Sequence, residues 1–121
     1  MAIEIKLRIK EGEKFEEKTF IQPFVSGRIL RRTIEIEKDF DKLVKDAGAE
    51  VKNYDSIKDQ DLQAKYVSEV FGNQFTPDQY IDGVESHKML SEFLRVRNFV
   101  VTGRDEAMGG TNRDGESDPN A

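Results

Sequence analysis

The chain opens with a strict alternation of apolar and charged residues. From residue 3 to residue 10, isoleucine or leucine occupies every odd position, and glutamate, lysine or arginine occupies every even one. Because successive side chains of a β-strand point to opposite faces, this pattern predicts a strand with one buried and one solvated face. A polar turn containing Gly12 follows, and residues 15–21 are again typical of a strand. We therefore expect a β-hairpin over residues 2–21.

A long helix is predicted at residues 26–47, after Pro23 ends the second strand. Ser26 is the expected N-cap, and Gly48 ends the helix. Apolar residues recur in alternating steps of four and three, which indicates an apolar stripe along one helix face. The stripe comprises Ile29, Thr33, Ile36, Phe40, Leu43 and Ala47, and it is widened by Leu30, Ile34 and Val44.

The stretch 66–83 predicts a helix, a stop and a restart. The first helix is expected over residues 57–72, opened by a weak capping pair, Ser56 and Asp59. Gly72 and Asn73 then supply residue types that tolerate the left-handed conformation at a helix C-terminus. Three residues favour the start of a second, short helix at 77–82, which Gly83 ends: Thr76, Pro77 and Gln79.

The corner between these helices carries three aromatic rings. Buried aromatic side chains are the common case, so one interpretation is that the rings belong to the core. The alternative is that they contact a partner protein. The rings are those of Phe71, Phe75 and Tyr80.

The last predicted helix, at residues 86–102, is apolar over a wider arc than a single packing face requires. Ser86 is its expected N-cap and Gly103 its stop. Its stripe consists of Met89, Phe93, Val96 and Val100, with Leu90, Leu94 and Val101 beside it. Two interpretations remain open: a central helix of the bundle, or a face shared between the core and a partner chain.

These elements predict an α+β fold in which an N-terminal hairpin packs on a bundle of three to four helices. One domain is expected over residues 1–103. Beyond it, residues 104–121 are rich in glycine and acidic residues and contain no aliphatic side chain larger than Met108. Such a composition buries too little to offset the entropy of ordering, so a flexible acidic tail is expected.

Composition favours a soluble, cytosolic protein that binds other proteins. The chain has 121 residues, no cysteine and a formal net charge of −5, which argues against a sequence-independent nucleic-acid binder. The sequence shows no apolar run of membrane-spanning or signal-peptide length. His87 is the only histidine, so no catalytic, cofactor or metal site is predicted.

Three arginines lie at the start of the long helix, which is the positive end of the helix dipole. Each positive charge there destabilises the helix by a few tenths of a kcal/mol in an exposed position. Pairing with nearby carboxylates would explain them, and so would an acidic surface on a partner. A third interpretation is a small regulatory domain that binds DNA through these side chains. They belong to Arg28, Arg31 and Arg32.

Two runs of sequence, FIQPFVSGRILRRTIEIE at residues 20–37 and VSEVFGNQFTPDQYIDGV at residues 67–84, follow a short charged hairpin. Together they resemble the tail assembly chaperones of long-tailed, siphovirus-type bacteriophages of Gram-positive hosts. The matching residues of the first run are Pro23, Phe24, Val25, Gly27 and Arg28. Those of the second run are Val70, Phe71, Asn73, Gln74, Phe75, Thr76, Tyr80, Asp82 and Gly83.

The resemblance implies a non-enzymatic protein that coats the tape measure protein, keeps it soluble and recruits major tail tube subunits. Such a protein works in the host cytoplasm and is absent from the mature particle. Self-association is left open, and neither a nucleic acid, a membrane nor a cofactor is expected. The alternative is a tail completion or connector protein retained in the virion. Candidate partner-binding residues are Arg28, Arg31, Arg32, Phe71, Phe75, Tyr80, Met89, Phe93, Val96 and Val100.

Overall fold

A computed structural model describes residues 2–105, which form an antiparallel hairpin followed by four α-helices. The predicted α+β fold is confirmed. The strands are β1 (Ile3–Glu11) and β2 (Lys14–Gln22), and the helices are α1 (Gly27–Ala47), α2 (Ser56–Val70), α3 (Pro77–Gly83) and α4 (Met89–Thr102). Short 3-10 turns lie at Val51–Asn53 and Ser86–Lys88. Most of the tail expected at 104–121 lies outside the described residues.

One face of β1 packs against the helices. Strand β1 pairs with β2 from Ile3 opposite Gln22 to Glu11 opposite Lys14. The odd-numbered apolar residues of β1 are buried, as the alternation predicts. On the same face, β2 contributes mainly Phe20, because its other core-facing positions carry polar residues. Strand β1 is therefore the main contribution of the hairpin to the core.

Helix α1 buries the predicted stripe but not the residues expected to widen it. Thr33, Ile36 and Ala47 are buried, and the other stripe residues are partly buried. Three residues expected to extend the buried stripe are instead exposed: Leu30, Ile34 and Val44. At 3.6 residues per turn, each of them lies about 100° around the helix from the stripe residue that precedes it. This places them beyond the reach of the core.

The corner between α2 and α3 has the predicted backbone. Gly72 and Asn73 both adopt positive φ, 67° and 58°. The capping box of α3 is confirmed: the Gln79 backbone N–H donates to Thr76 Oγ1 at 3.1 Å, and the Thr76 N–H donates to Gln79 Oε1 at 2.8 Å. Two groups that a helix start would otherwise leave unpaired are thus satisfied.

Of three other predicted caps, Ser26 lies at its expected position and the other two are wrong. Ser26 occupies the N-cap position of α1, but its side chain makes no capping hydrogen bond. Asp55, rather than Ser56, caps α2 by accepting from the Lys58 N–H at 3.0 Å. Ser86 opens a 3-10 turn, and α4 begins only at Met89. Asp55 and Ser56 are adjacent, so the composition alone does not select the one that caps α2.

One buried polar contact joins α1 to α2. The hydroxyl oxygens of Thr33 and Tyr66 lie 2.7 Å apart, and Thr33 Oγ1 also donates to the Ile29 carbonyl at 3.0 Å. Burial raises the pKa of Tyr66 from 10.0 to about 12, and the hydrogen bond with Thr33 opposes that rise. The fold therefore favours the neutral phenol.

This shift predicts a loss of stability at alkaline pH. A folded-state pKa above the unfolded value means that the contribution of Tyr66 is fully present below about pH 10 and is lost as pH rises towards about 12. The unfolding free energy of the wild type should fall more steeply there than that of Tyr66→Phe, by up to about 1.4 kcal/mol per pH unit. Urea titrations at about pH 9 and about pH 11 measure the difference. If the unfolding free energies of the two proteins fell equally steeply with pH, the raised pKa of Tyr66 in the folded state would be contradicted.

Candidate partner-binding surface

Five of the ten residues predicted to bind a partner are buried in the core. The side chains of Phe71, Phe75, Tyr80, Phe93 and Val96 are at most 4% exposed. Phe93, for example, packs edge to face against Tyr66 and Phe40, with ring centroids 5.6 and 5.7 Å apart. A partner would reach these five side chains only if the core opened. Met89 and Val100 are partly buried.

The three arginines of α1 differ in their surroundings. Arg32 Nε donates to Glu69 Oε1 at 2.7 Å, and carboxylates of Glu35 and Asp39 lie within 4.0 Å of its guanidinium. Pairing with carboxylates therefore accounts for Arg32. Arg28 and Arg31 are exposed, and no carboxylate in residues 2–105 forms a salt bridge with either. These two remain available to an acidic partner.

Helices α1 and α4 lie side by side and antiparallel. Arg97 Nη1 contacts Glu37 Oε2 at 3.2 Å, and Phe93 packs on Phe40 three residues further along α1. Moving towards the C-terminus of α1 therefore means moving towards the N-terminus of α4. This register places Ile34 towards the C-terminal end of α4, and Val44 towards its N-terminal end.

Each of these helices carries a second stripe, outside the core, with alternating steps of four and three. We call the two stripes together the α1–α4 face. The stripe of α1 consists of Leu30, Ile34, Glu37, Asp41 and Val44, and that of α4 consists of Leu90, Leu94, Arg97 and Val101. Leu94 is partly buried, and the other five apolar side chains are 43–59% exposed. The face is therefore apolar towards both ends and charged in the middle.

A shallow groove of about 320 Å³ extends from the middle of this face to its end at Leu90, where Tyr54, Asp59 and Gln63 also line it. Its apolar lining comes from Phe40, Leu90 and Phe93. Its charged groups are the carboxylates of Glu37, Asp41 and Asp59 and the guanidinium of Arg97. Three acids against one base leave the groove with an excess of negative charge.

A cavity of about 920 Å³ lies along the free edge of β1. Strand β1 has the alternating pattern of an edge that could pair with another subunit, but two neighbours cover parts of this edge. Arg95 Nη2 donates to the Glu4 carbonyl at 2.8 Å, and Gly83 packs directly on the backbone of Arg8. These two contacts obstruct the edge at Glu4 and at Arg8 for an added strand.

The sequence pattern placed the candidate binding residues of α4 on the flank of its apolar arc that faces the core. It selected Phe93 and Val96, whereas the exposed apolar residues of α4 are Leu90 and Val101. A signal was available: Arg97 shares the stripe of Leu90 and Val101, and arginine side chains are mostly exposed, although Arg95 of the same helix is an exception.

Neither a group of metal ligands nor a membrane-spanning helix is found among the described residues. Within residues 2–105, no three His, Cys, Asp or Glu side chains are grouped so that they could hold a metal ion. In the same part of the chain, no helix is both long and apolar enough to cross a membrane.

Comparison with known proteins identifies a family. The family model described as phage tail chaperone protein matches residues 1–116, which is nearly the whole chain. No curated protein and no solved structure matches. The match agrees with the resemblance carried by the two runs at residues 20–37 and 67–84. The chain belongs to the phage tail chaperone protein family, and its role is that of a chaperone in tail assembly.

Proposed function

We propose that this tail chaperone binds the tape measure protein of its phage, keeps it soluble and helps to recruit tail tube subunits. The proposal rests on family membership and on one structural observation. Five large apolar side chains of α1 and α4 are exposed on one face, outside the core. Exposed apolar patches of this kind mark protein-binding sites in soluble proteins. The function is binding, without catalysis.

A tape measure protein is a suitable client for such a surface. It is a long, helical and partly apolar rod, and its apolar stripes would self-associate in water before the tube forms around it. Many copies of a small domain could cover these stripes, each with modest affinity. Because neighbouring sites lie on one rod, avidity would supply the overall affinity.

The site of action follows from this role. The chaperone would work in the host cytoplasm during assembly and leave as tube subunits replace it, so it would be absent from the finished particle. A tail completion or connector protein would instead remain in the virion. Protein analysis of purified particles distinguishes the two, since a fixed copy number per virion would support the second function.

Co-expression tests the proposal directly. The tape measure protein of the same phage is produced alone and together with this chain, and soluble and pelleted fractions are compared. We expect the tape measure protein to move from the pellet to the soluble fraction and to co-purify with the chain. An unrelated acidic protein of similar size is the control for nonspecific effects. A tape measure protein that stays insoluble with the chain present would contradict the proposal.

A further inference from the structure

We propose that the α1–α4 face binds one amphipathic helix of the tape measure protein, laid along the groove between α1 and α4. The inference rests on the proposed function and adds the binding site and the sequence pattern of the ligand. Three properties of the α1–α4 face support this binding mode: the spacing of its stripes, the position of its apolar ends and its charge.

The spacing of the stripes fits a third helix. Steps of four and three residues keep side chains on one line along a helix, and such lines form the seams of helical bundles. The α1–α4 face has two of these seams side by side, on antiparallel helices joined by the contact between Glu37 and Arg97. A helix laid over both seams would cover the exposed apolar side chains of both.

The apolar ends set the length of the bound segment. Leu30 and Ile34 lie towards one end of the face, and Val44 and Leu90 towards the other. Ten to fourteen residues of α1 separate these ends, which is about 15–21 Å of helix. The partner helix should therefore present two apolar clusters about three to four turns apart.

The negative charge of the groove predicts which residue type the partner helix carries between its two apolar clusters. Glu37 is paired with Arg97, whereas Asp41 is exposed and has no salt bridge within residues 2–105. A lysine or arginine of the partner, between its two apolar clusters, would pair with Asp41. A second copy of this chain fits poorly, since docking the face on itself would bring acidic groove against acidic groove.

Two variants and one control test this assignment in the co-expression assay. Ile34→Lys and Leu90→Lys place a charge in the apolar ends of the face. Ile21→Lys is the matched control, because Ile21 is 53% exposed and Ile34 57%, yet Ile21 lies on the solvent side of the hairpin. We expect at least about tenfold less soluble tape measure protein with Ile34→Lys and Leu90→Lys, and wild-type amounts with Ile21→Lys. Thermal unfolding verifies that all three variants fold.

The outcomes distinguish an error in the proposed binding site from an error in the proposed function. If the wild type fails to solubilise the tape measure protein, the proposed function is wrong. If the wild type succeeds and Ile34→Lys and Leu90→Lys succeed equally, the function stands and this site is refuted. Should Ile34→Lys or Leu90→Lys not fold, Asp41→Lys decides, since a lysine there should repel the basic residue of the helix and reduce solubilisation. A wild-type dimer that becomes a monomer in Ile34→Lys would instead identify the face as a contact between copies.

Discussion

Replacing Phe75 by alanine is expected to lower the free energy of unfolding by about 3–5 kcal/mol. The ring is 2% exposed and lies between the hairpin and the α2–α3 corner, with ring centroids 5.0 Å from Phe20 and 5.6 Å from Phe71. Its removal leaves a cavity lined by side chains from both parts of the fold. Because a domain of this size is stable by only about 5–15 kcal/mol, a large part of its stability should be lost. Urea unfolding monitored by circular dichroism measures the change.

Phe24→Ala is the control for this experiment. Phe24 is 74% exposed, so its truncation should change the unfolding free energy by less than about 0.5 kcal/mol. A loss for Phe75→Ala as small as that for Phe24→Ala would contradict the packing of the corner. Phe75→Leu distinguishes core from partner contact. It should fold and solubilise the tape measure protein, and a folded Phe75→Leu without this activity would restore Phe75 as a binding residue.

The elements that sequence predicts well are those fixed by neighbouring residues. The alternation of Ile3, Ile5 and Leu7 predicts the buried face of β1, because strand geometry alone decides which side chains share a face. The capping box at Thr76 and Gln79 is equally local, since both hydrogen bonds lie within one helical turn. Neither requires knowledge of the rest of the fold.

Burial of the corner depends on contacts that are distant in the chain. Phe75 is covered by Phe20, 55 positions earlier in the sequence. Nearby, Gln22 Nε2 donates to the Val70 carbonyl and Gln74 Nε2 donates to the Ile21 carbonyl, which ties the hairpin to the corner. No local pattern shows that the hairpin closes over these rings. From the sequence alone, a core position and a partner contact are therefore both possible for these rings.

The choice between flanks of α4 has a similar cause. Adjacent helix positions such as Met89 and Leu90 differ by about 100° in direction, and both are apolar. Which of them is covered depends on where α1 lies, and the contact of Phe93 with Phe40 fixes that position. Phe93 and Val96 consequently enter the core, and Leu90 stays exposed. The apolar arc was visible in the sequence, but its division into core and surface was not.

Gly83 shows the same limit at a single residue. The sequence identifies it as a helix stop, and α3 does end there. Its φ, however, is not among the positive values of the chain, so left-handed backbone does not explain the glycine. A Cβ at this position would lie 2.8 Å from the carbonyl oxygen and 3.2 Å from the backbone nitrogen of Arg8. Glycine is needed because α3 packs directly on β1.

Gly83→Ala should therefore lower the unfolding free energy by about 1–3 kcal/mol, as overpacking does elsewhere in protein cores. The contact is with backbone, which cannot rotate away like a flexible side chain, so α3 or β1 must shift. Gly27→Ala is the matched control: nothing lies within 4 Å of its Cβ position, and its unfolding free energy should stay unchanged or rise by up to about 1 kcal/mol. Urea titrations of both variants give the comparison. Equal stabilities would mean that α3 does not press on β1, and the hairpin would then be held to the helices mainly by the side chains of β1.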